Sequence, residues 1–322
     1  MKVAVVGGSG FIGTWLVKEL LDLGHAVKIL DKNQSKKFKD IVSLGDVRDL
    51  DFLKKNLKDN DVVYNLAAEH RDDVTPTSLY YDVNVTGAKN IIAASEFNNI
   101  NKIVFTSSVA VYGLNNLNPS ESCSVDPFNH YGISKLKAEK VLEAWADAKE
   151  DRTLVKVRPV VVFGEGNRGN VYNLIKQVQD NKFMMVGPGN NRKSMAYVGN
   201  LAKFLASAGN FGPGQHLFNF ANKPDMTVDE LVKVICCCLH VNHKVPRIPF
   251  LLGLAGGYTL DLIGKLTRKK YPISSIRIRK FCANTTVATD ALDSTGFVSP
   301  FTLHEGLNRM IENLDQDIYL EG

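Results

Sequence analysis

Five continuous apolar runs punctuate the first half of the chain: "KVAVVG" (2–7), "AVKILD" (26–31), "DVVYNLAA" (61–68), "KIVFTSS" (102–108) and "TLVKVRP" (153–159). Unbroken β-branched runs predict strands covered on both faces, because a half-exposed strand would alternate apolar with polar residues. Between them apolar residues return every three or four positions, as in "FIGTWLVKELLDLG" (11–24) and "HYGISKLKAEKVLEAWADAK" (130–149), which predicts helices. Strand and helix alternating in this way form right-handed crossovers, giving a doubly wound α/β domain of Rossmann type around a parallel sheet. After residue 165 the rhythm breaks into Gly- and Asn-rich turns, "GEGNRGN" and "GPGNN". The expected division is a dinucleotide-binding domain over 1–165 and a smaller, mainly substrate-binding C-terminal lobe over 166–322, with late sheet strands interleaved.

One stretch fits neither pattern: "IPFLLGLAGGYTLDLIGKLTRKK", 248–270. Pro249, Asp261 and several glycines break it too often to span a bilayer, which needs about 20 apolar residues. Two readings stay open, a core helix of the small lobe and a surface helix lying in a membrane interface with its apolar face down.

Composition changes the picture in one place. The 44% apolar and 23% charged residues are those of an ordinary folded protein, but the net charge of +5 is unevenly spread. From Lys244 to Lys280 basic residues crowd together against a single acid, Asp261. A single patch without interleaved aromatics argues against nucleic acid and for an anionic membrane surface, where Arg268, Lys269 and Lys270 would meet headgroups. The five cysteines, three of them adjacent at 236–238, suit neither a disulfide framework nor a metal site, so reduced core thiols are expected. The opening "MKVAVVGG" enters a strand directly with no secretory h-region, so the expected location is cytoplasmic, peripheral to the inner face of the membrane.

The candidate chemistry begins with "VAVVGGSGFIGTWLVKEL", which sets Gly7, Gly10 and Gly13 between a strand and a helix. The first glycine permits a tight turn, the second lets backbone approach a pyrophosphate, and the third lets helix and strand pack closely. Asp31 closes the next strand, where a carboxylate accepts from adenosine ribose hydroxyls and repels a 2′-phosphate, favouring NAD over NADP. "GDVRD" offers Asp46 and Val47 as an acid–apolar pair to bracket adenine, and "NLAAEH" ends a strand with small Ala67 and Ala68 where backbone passes close to the cofactor.

Ser108, at the end of "KIVFTSS", precedes "YGISK", whose Tyr131 and Lys135 lie one helical turn apart on one face. A tyrosine serves as a base near neutral pH only if its pKa of about 10 falls, and an ammonium and oxidised nicotinamide both push it down. Ser108 can hydrogen-bond the same substrate oxygen. The trio predicts proton removal from a secondary alcohol whose carbon gives hydride to NAD. Trp15 and Trp145 read as packing residues; His70 and His130 lie near the site, but Tyr131 already fills the base role.

The glycine turn, "NLAA", "TSS", "YGISK" and "VRPVVVFG", in this order, resemble the extended short-chain dehydrogenase/reductases, the family of sugar-nucleotide epimerases and dehydratases. The resemblance covers most of the chain. It implies that Ser108, Tyr131 and Lys135 are catalytic and that Gly7, Gly10, Phe11, Ile12, Gly13, Asp31, Asp46, Val47, Ala67 and Ala68, with Tyr131 and Lys135, bind NAD. It also implies a homodimer. "AAEHRDDVTPTSLYYDVNVTG", "SSVAVYGLN", "DPFNHYG" and "GNRGNVYNLIKQ" are similar to a bacterial branch that epimerises N-acetylglucosamine at C4 on a polyprenyl diphosphate. The implied mechanism takes the O4 proton to Tyr131 and hydride to NAD, then returns hydride to the opposite face of a 4-keto sugar. Dehydration would need an Asp–Glu pair beside the serine, which "TSSVAVYG" lacks.

The substrate half departs from the nucleotide-sugar pattern. "RKSMAYVGNLA" has Gly199 and Asn200 where an acid is expected, and "SSIRIRKFCANTT" has no Gly-Asp. Both departures suit a substrate without a nucleoside but with a diphosphate, for which Arg71, Arg168, Asn170, Arg192, Lys193 and Arg277 are the expected partners. Alternatives are a soluble UDP-N-acetylglucosamine 4-epimerase, an NADP-dependent 4-keto-sugar reductase, which Asp31 opposes, and a non-catalytic NAD sensor.

Overall fold

The structure, a computed structural model, describes residues 1–71, 74–113, 117–242, 244–267 and 274–314. Strands β1 (Lys2–Val6), β2 (Ala26–Asp31), β3 (Val42–Leu44), β4 (Val62–Asn65), β5 (Lys102–Thr106) and β6 (Thr153–Pro159) belong to one sheet. The chain then leaves it for β7 (Val161–Phe163), β8 (Met185–Val186) and β9 (Arg192–Tyr197), and returns with β10 (Gly214–Phe220). With β11 (Asn222–Thr227) and β12 (Arg247–Ile248), the orders are β10-β6-β5-β4-β1-β2-β3, β11-β9-β7 and β12-β8. The seven-stranded sheet is parallel throughout, so the expected doubly wound fold is the one observed.

The continuous apolar strands follow from helices on both faces. Val3 and Val5 point into a core with Leu16, Leu20, Leu201 and Phe204, while Ala4 and Val6 point oppositely, toward Leu53, Ile91, Leu142 and Trp145. A period of two thus sends neighbouring residues into different cores, and both must be apolar. A third core, with Phe163, Ile175, Tyr197, Leu231 and Leu307, belongs to the second half of the chain. Trp145 is buried in the second core and Trp15 meets Tyr197 edge-on at 6.1 Å, so both pack.

One expectation changes and one open reading narrows. None of the five free cysteines is buried. The helix Val228–Cys238 buries Val228, Leu231, Val232 and Ile235, and that spacing leaves Cys237 exposed and Cys236 and Cys238 half-buried, with Cys236 at the margin of the third core. The 248–270 stretch forms the helix Phe250–Thr267, whose buried residues are Gly253 and Gly257; Arg268, Lys269 and Lys270 lie outside the described residues. Leu251 and Leu266 are each 76% exposed, with Leu252 and Leu262 exposed beside them. This is no core helix. Its glycine face rests on Val186 and on the helix Ser275–Cys282, and Asp261 joins the two helices by accepting from Ser275 N (3.1 Å) and Oγ (2.6 Å). Among the described residues no helix is long and apolar enough to cross a membrane.

Candidate active site

Strand order reverses between β1 and β4, and the crevice at their C-terminal ends is where such sheets bind ligands. Gly7 leaves β1 with φ +83°, and a Cβ there would lie 2.6 Å from Ala67 N, so the turn and the end of β4 are in backbone contact. A Cβ at Gly13 would lie 2.7 Å from Gly8 Cα, which ties the helix Phe11–Asp22 to the turn. Gly10 differs. Its φ is −74° and the nearest atom to an added Cβ is Gly7 O at 3.4 Å, so the protein alone does not demand glycine. The space it leaves open lies at a helix N-terminus, where free N–H groups favour a phosphate. Phe11 and Ile12 follow, half-buried against the third core.

Asp31 accepts from Ser9 N (3.0 Å) and Asn33 N (2.9 Å), which fixes its carboxylate beside the turn. Of the buried side-chain atoms without a hydrogen-bond partner among the described residues, Ser9 Oγ, Asn65 Oδ1, Thr106 Oγ1 and Ser107 Oγ cluster together. They sit in the glycine turn and at the ends of β4 and β5. Each such orphan costs about 1–3 kcal/mol, and a dinucleotide rich in hydroxyls and phosphate oxygens fits this crevice. The Asp46–Val47 pair is divided. Arg48 grips Asp46 through Nε (2.9 Å) and a terminal nitrogen (2.7 Å), and that hydrogen bond holds the carboxyl below its ordinary range. Val47 is buried against Gly87. Ala68 is half-buried beyond Ala67.

Ser108 precedes the 3-10 turn Val109–Tyr112 and caps it by accepting from Ala110 N at 3.2 Å. Tyr131 and Lys135 stand on the helix His130–Asp147, started by Asn129, whose side chain accepts from Gly132 N at 2.8 Å. Burial pushes the Tyr131 phenol up, and the Ser108 hydroxyl beside it opposes the rise. Lys135 is buried, donates to Thr106 O at 2.9 Å and lies 4.8 Å from the Phe105 ring centroid. Burial pulls its ammonium down to about 7, against the attraction of Glu139. Each charged form is disfavoured by desolvation, so a cation placed beside the phenol would move it furthest.

The sequence reading missed Asn84. It is buried in a π-helical turn, Asp82–Thr86, where it exchanges hydrogen bonds with the backbone of Glu69 and donates to Ser134 Oγ at 2.8 Å. It therefore joins the end of β4 to the Tyr131 helix. A polar residue between the valines of "DVNVTG" was the available signal.

The six candidate diphosphate partners fall in three places. Arg71 pairs with Glu69 at 3.1 Å. Arg168 donates to the Tyr172 hydroxyl, and Asn170 begins the helix Asn170–Gln179. Arg192 and Lys193 meet the 277–285 segment that carries Arg277: Lys193 Nζ donates to Lys280 O (2.9 Å) and Ala283 O (2.7 Å), and burial pulls it down to about 8. The segment of the last group comes close to the start of the Tyr131 helix, because Lys280 Nζ lies 4.9 Å from the ring of Phe128, in the loop just ahead of it. His130 is held by Tyr81 at 2.9 Å, and His70 is exposed.

The chain belongs to the NAD dependent epimerase/dehydratase family, whose model matches residues 3–221. It is an NAD-dependent enzyme of that class. More particularly, it is 50% identical over 315 residues to the N-acetyl-alpha-D-glucosaminyl-diphospho-ditrans,octacis-undecaprenol 4-epimerase of Escherichia coli O157:H7, across 97% of this chain and 94% of the relative. The UDP-glucose 4-epimerase of Lactobacillus helveticus is 34% identical over 53% of this chain and 54% of its own. Among solved structures, the UDP-N-acetylglucosamine 4-epimerase of Methanobrevibacter ruminantium M1 has the same fold, with a TM-score of 0.77, 24% identity and 97% of each chain covered.

Proposed function

We propose that this enzyme interconverts N-acetylglucosamine and N-acetylgalactosamine at C4 while the sugar is carried on a polyprenyl diphosphate, working at an anionic membrane surface. The E. coli relative is named for a substrate of that kind. One structural observation carries the reading to this chain. The helix Phe250–Thr267 turns Gly253 and Gly257 to the protein and Leu251, Leu252, Leu262 and Leu266 outward, beside the Arg277 segment, whose Lys280 lies against Phe128 just ahead of the Tyr131 helix. A sugar anchored in a bilayer needs an enzyme that comes to it. Asn200, standing where a nucleotide-gripping acid was expected, is fully buried and bonds the backbone of Phe301 through both side-chain atoms.

In this reading Gly7, Gly10, Gly13 and Asp31 hold NAD, which supplies hydride acceptance from C4 and hydride return. Tyr131 takes the O4 proton and gives it back. Ser108 donates to the same oxygen and holds it in reach. Lys135, fixed by Thr106 O, favours the phenolate. Arg192, Lys193 and Arg277 face the diphosphate, with Arg71, Arg168 and Asn170 as further partners. Because the hydride taken from C4 would be returned within the same cycle, no cofactor is consumed, and the turn of the sugar between the two transfers inverts the centre.

The test offers purified protein polyprenyl-diphosphate N-acetylglucosamine in detergent and, separately, UDP-N-acetylglucosamine. The galacto epimer should form from the lipid substrate, and Tyr131→Phe should lower the rate by roughly 10²–10⁴-fold with the fold intact. Conversion of the nucleotide alone would overturn the lipid reading.

A further inference from the structure

A chain of buried polar side chains links the elements that carry Ser108, Tyr131 and Lys135. Glu139, fully buried, stands one helical turn past Lys135 on the same helix. It accepts two hydrogen bonds from Arg158 of β6, from Nε at 2.9 Å and from a terminal nitrogen at 2.5 Å. The other terminal nitrogen of Arg158 donates to the Tyr112 hydroxyl at 2.9 Å, with the guanidinium 4.9 Å from that ring's centroid. Tyr112 ends the turn that Ser108 begins, and its hydroxyl donates to Asn219 Oδ1 on β10 at 2.8 Å. Asn219 in turn donates to Pro119 O (3.1 Å) and Ala288 O (3.0 Å).

We infer that Glu139, Arg158 and Tyr112 are positioning residues for the reaction: they clamp the turn carrying Ser108 to the helix carrying Tyr131 and Lys135. The backbone supports this role. A Cβ on Gly132, next to Tyr131, would lie 2.6 Å from Ala110 O, so turn and helix already meet there. The Arg158 bridge adds a polar tie at the far end of the same turn. A bidentate guanidinium–carboxylate pair fixes angle as well as distance. An apolar filling of equal volume would fix neither, although it would cost the fold little, since buried ion pairs replaced by apolar residues are often neutral for stability.

The inference rests on the assignment of Ser108, Tyr131 and Lys135, and not on the sugar carrier, so turnover is measured on whichever carrier the wild type converts. The double variant Glu139→Met/Arg158→Met removes both charges of the pair together, and because Lys135 also loses the attraction of Glu139, kcat is compared at the plateau of each pH profile. The variant should melt near the wild type and retain NAD, yet lose about 10–100-fold in kcat with KM little changed, as expected when reacting groups are misplaced by about 1 Å. Tyr112→Phe is then compared alone and in a Ser108→Ala background. If Tyr112 acts through the placement of Ser108, its cost disappears once the serine hydroxyl is gone. An equal cost in both backgrounds, or full kcat in the Met/Met variant, would overturn the clamp. Full activity in Ser108→Ala alone would overturn the trio instead, and the clamp with it.

Discussion

Glycines hold two parts of this molecule together, and the two have opposite surfaces. In the turn after β1, an added Cβ would meet backbone: Ala67 N at Gly7 and Gly8 Cα at Gly13. In the helix Phe250–Thr267, a Cβ on Gly253 would meet only side-chain tips, Val186 nearest at 2.6 Å, while one on Gly257 would meet Ile278 at 2.8 Å and the Ser275 backbone at 2.9 Å. Around the first pair, apolar side chains are buried; around the second, they face out. The comparison separates two uses of apolar residues that look alike in a sequence. Where both sides of an element are covered, apolar area is removed from water within the chain and stabilises the fold. Where one face is merely seated on the protein, the area remains available to a partner.

The largest effect expected from breaking this comparison is at Gly13. Gly13→Ala places a methyl against backbone that cannot give way, and should cost about 3 kcal/mol with loss of co-purified NAD. Gly253→Ala meets one movable valine, and the better helix propensity of alanine returns about 1 kcal/mol, so its melting temperature should stay near the wild type. Equal costs at the two sites would mean that the seat of the helix Phe250–Thr267 is as rigid as the glycine turn after β1.

Next comes the buried ammonium. The Lys135 pKa falls from 10.5 to about 7, so between those limits the unfolded chain binds more protons than the folded one. Stability therefore rises with pH through that window, and the penalty is full below about pH 7. Cofactor-free protein should gain about 2–3 kcal/mol from pH 7 to 9, measured by denaturant melts. Lys135→Met should flatten the rise, while Lys265→Met, on the exposed helix, should leave it. A flat wild-type profile would place Lys135 in a far more polar setting than the one observed.

These residues also show what could be read from the chain alone. Gly7, Gly10 and Gly13, and the Tyr131–Lys135 pair, act within one turn or one helix, so their spacing carries their geometry. Asp31 was legible because a strand end follows the glycine turn at a set distance. Glu139 and Arg158 were not, since their meeting depends on how a helix lies across β6. The strand β10 was hidden too: "GQHLFNF" begins with exposed polar residues because it forms a sheet edge. The exposure of Phe250–Thr267 was undecidable from hydropathy, because a core and a bilayer ask for the same side chains. Only the side on which Gly253 and Gly257 fall distinguishes them.

A smaller effect is expected at Asp31, which divides its two oxygens between Ser9 N and Asn33 N. Asp31→Ser removes a charged acceptor worth about 1.5–3 kcal/mol to a bound hydroxyl, so NAD affinity should fall at least about tenfold. Loss of the negative charge should narrow the gap between NAD and NADP. Fluorescence titration with both cofactors checks this, and an unchanged preference would remove Asp31 from the discriminating role.

The smallest change in stability should accompany the largest change in location. Leu251, Leu262 and Leu266 point away from the protein, so replacing all three by serine removes no internal contact and should alter stability by no more than about 0.5 kcal/mol per site. Leu205, fully buried under the sheet, should lose about 2–5 kcal/mol when changed to alanine. Offered to vesicles containing anionic lipid, the wild type should sediment and the triple variant should stay in solution, because each leucine withdrawn from a bilayer forfeits about 1.5–3 kcal/mol. Turnover of a detergent-dispersed substrate should survive in the variant, since the reactive trio is untouched. A steep fall in melting temperature would instead mean that these leucines are covered by protein, as in a self-association, and the contrast between the two glycine-seated regions would then be one of partner rather than of solvent.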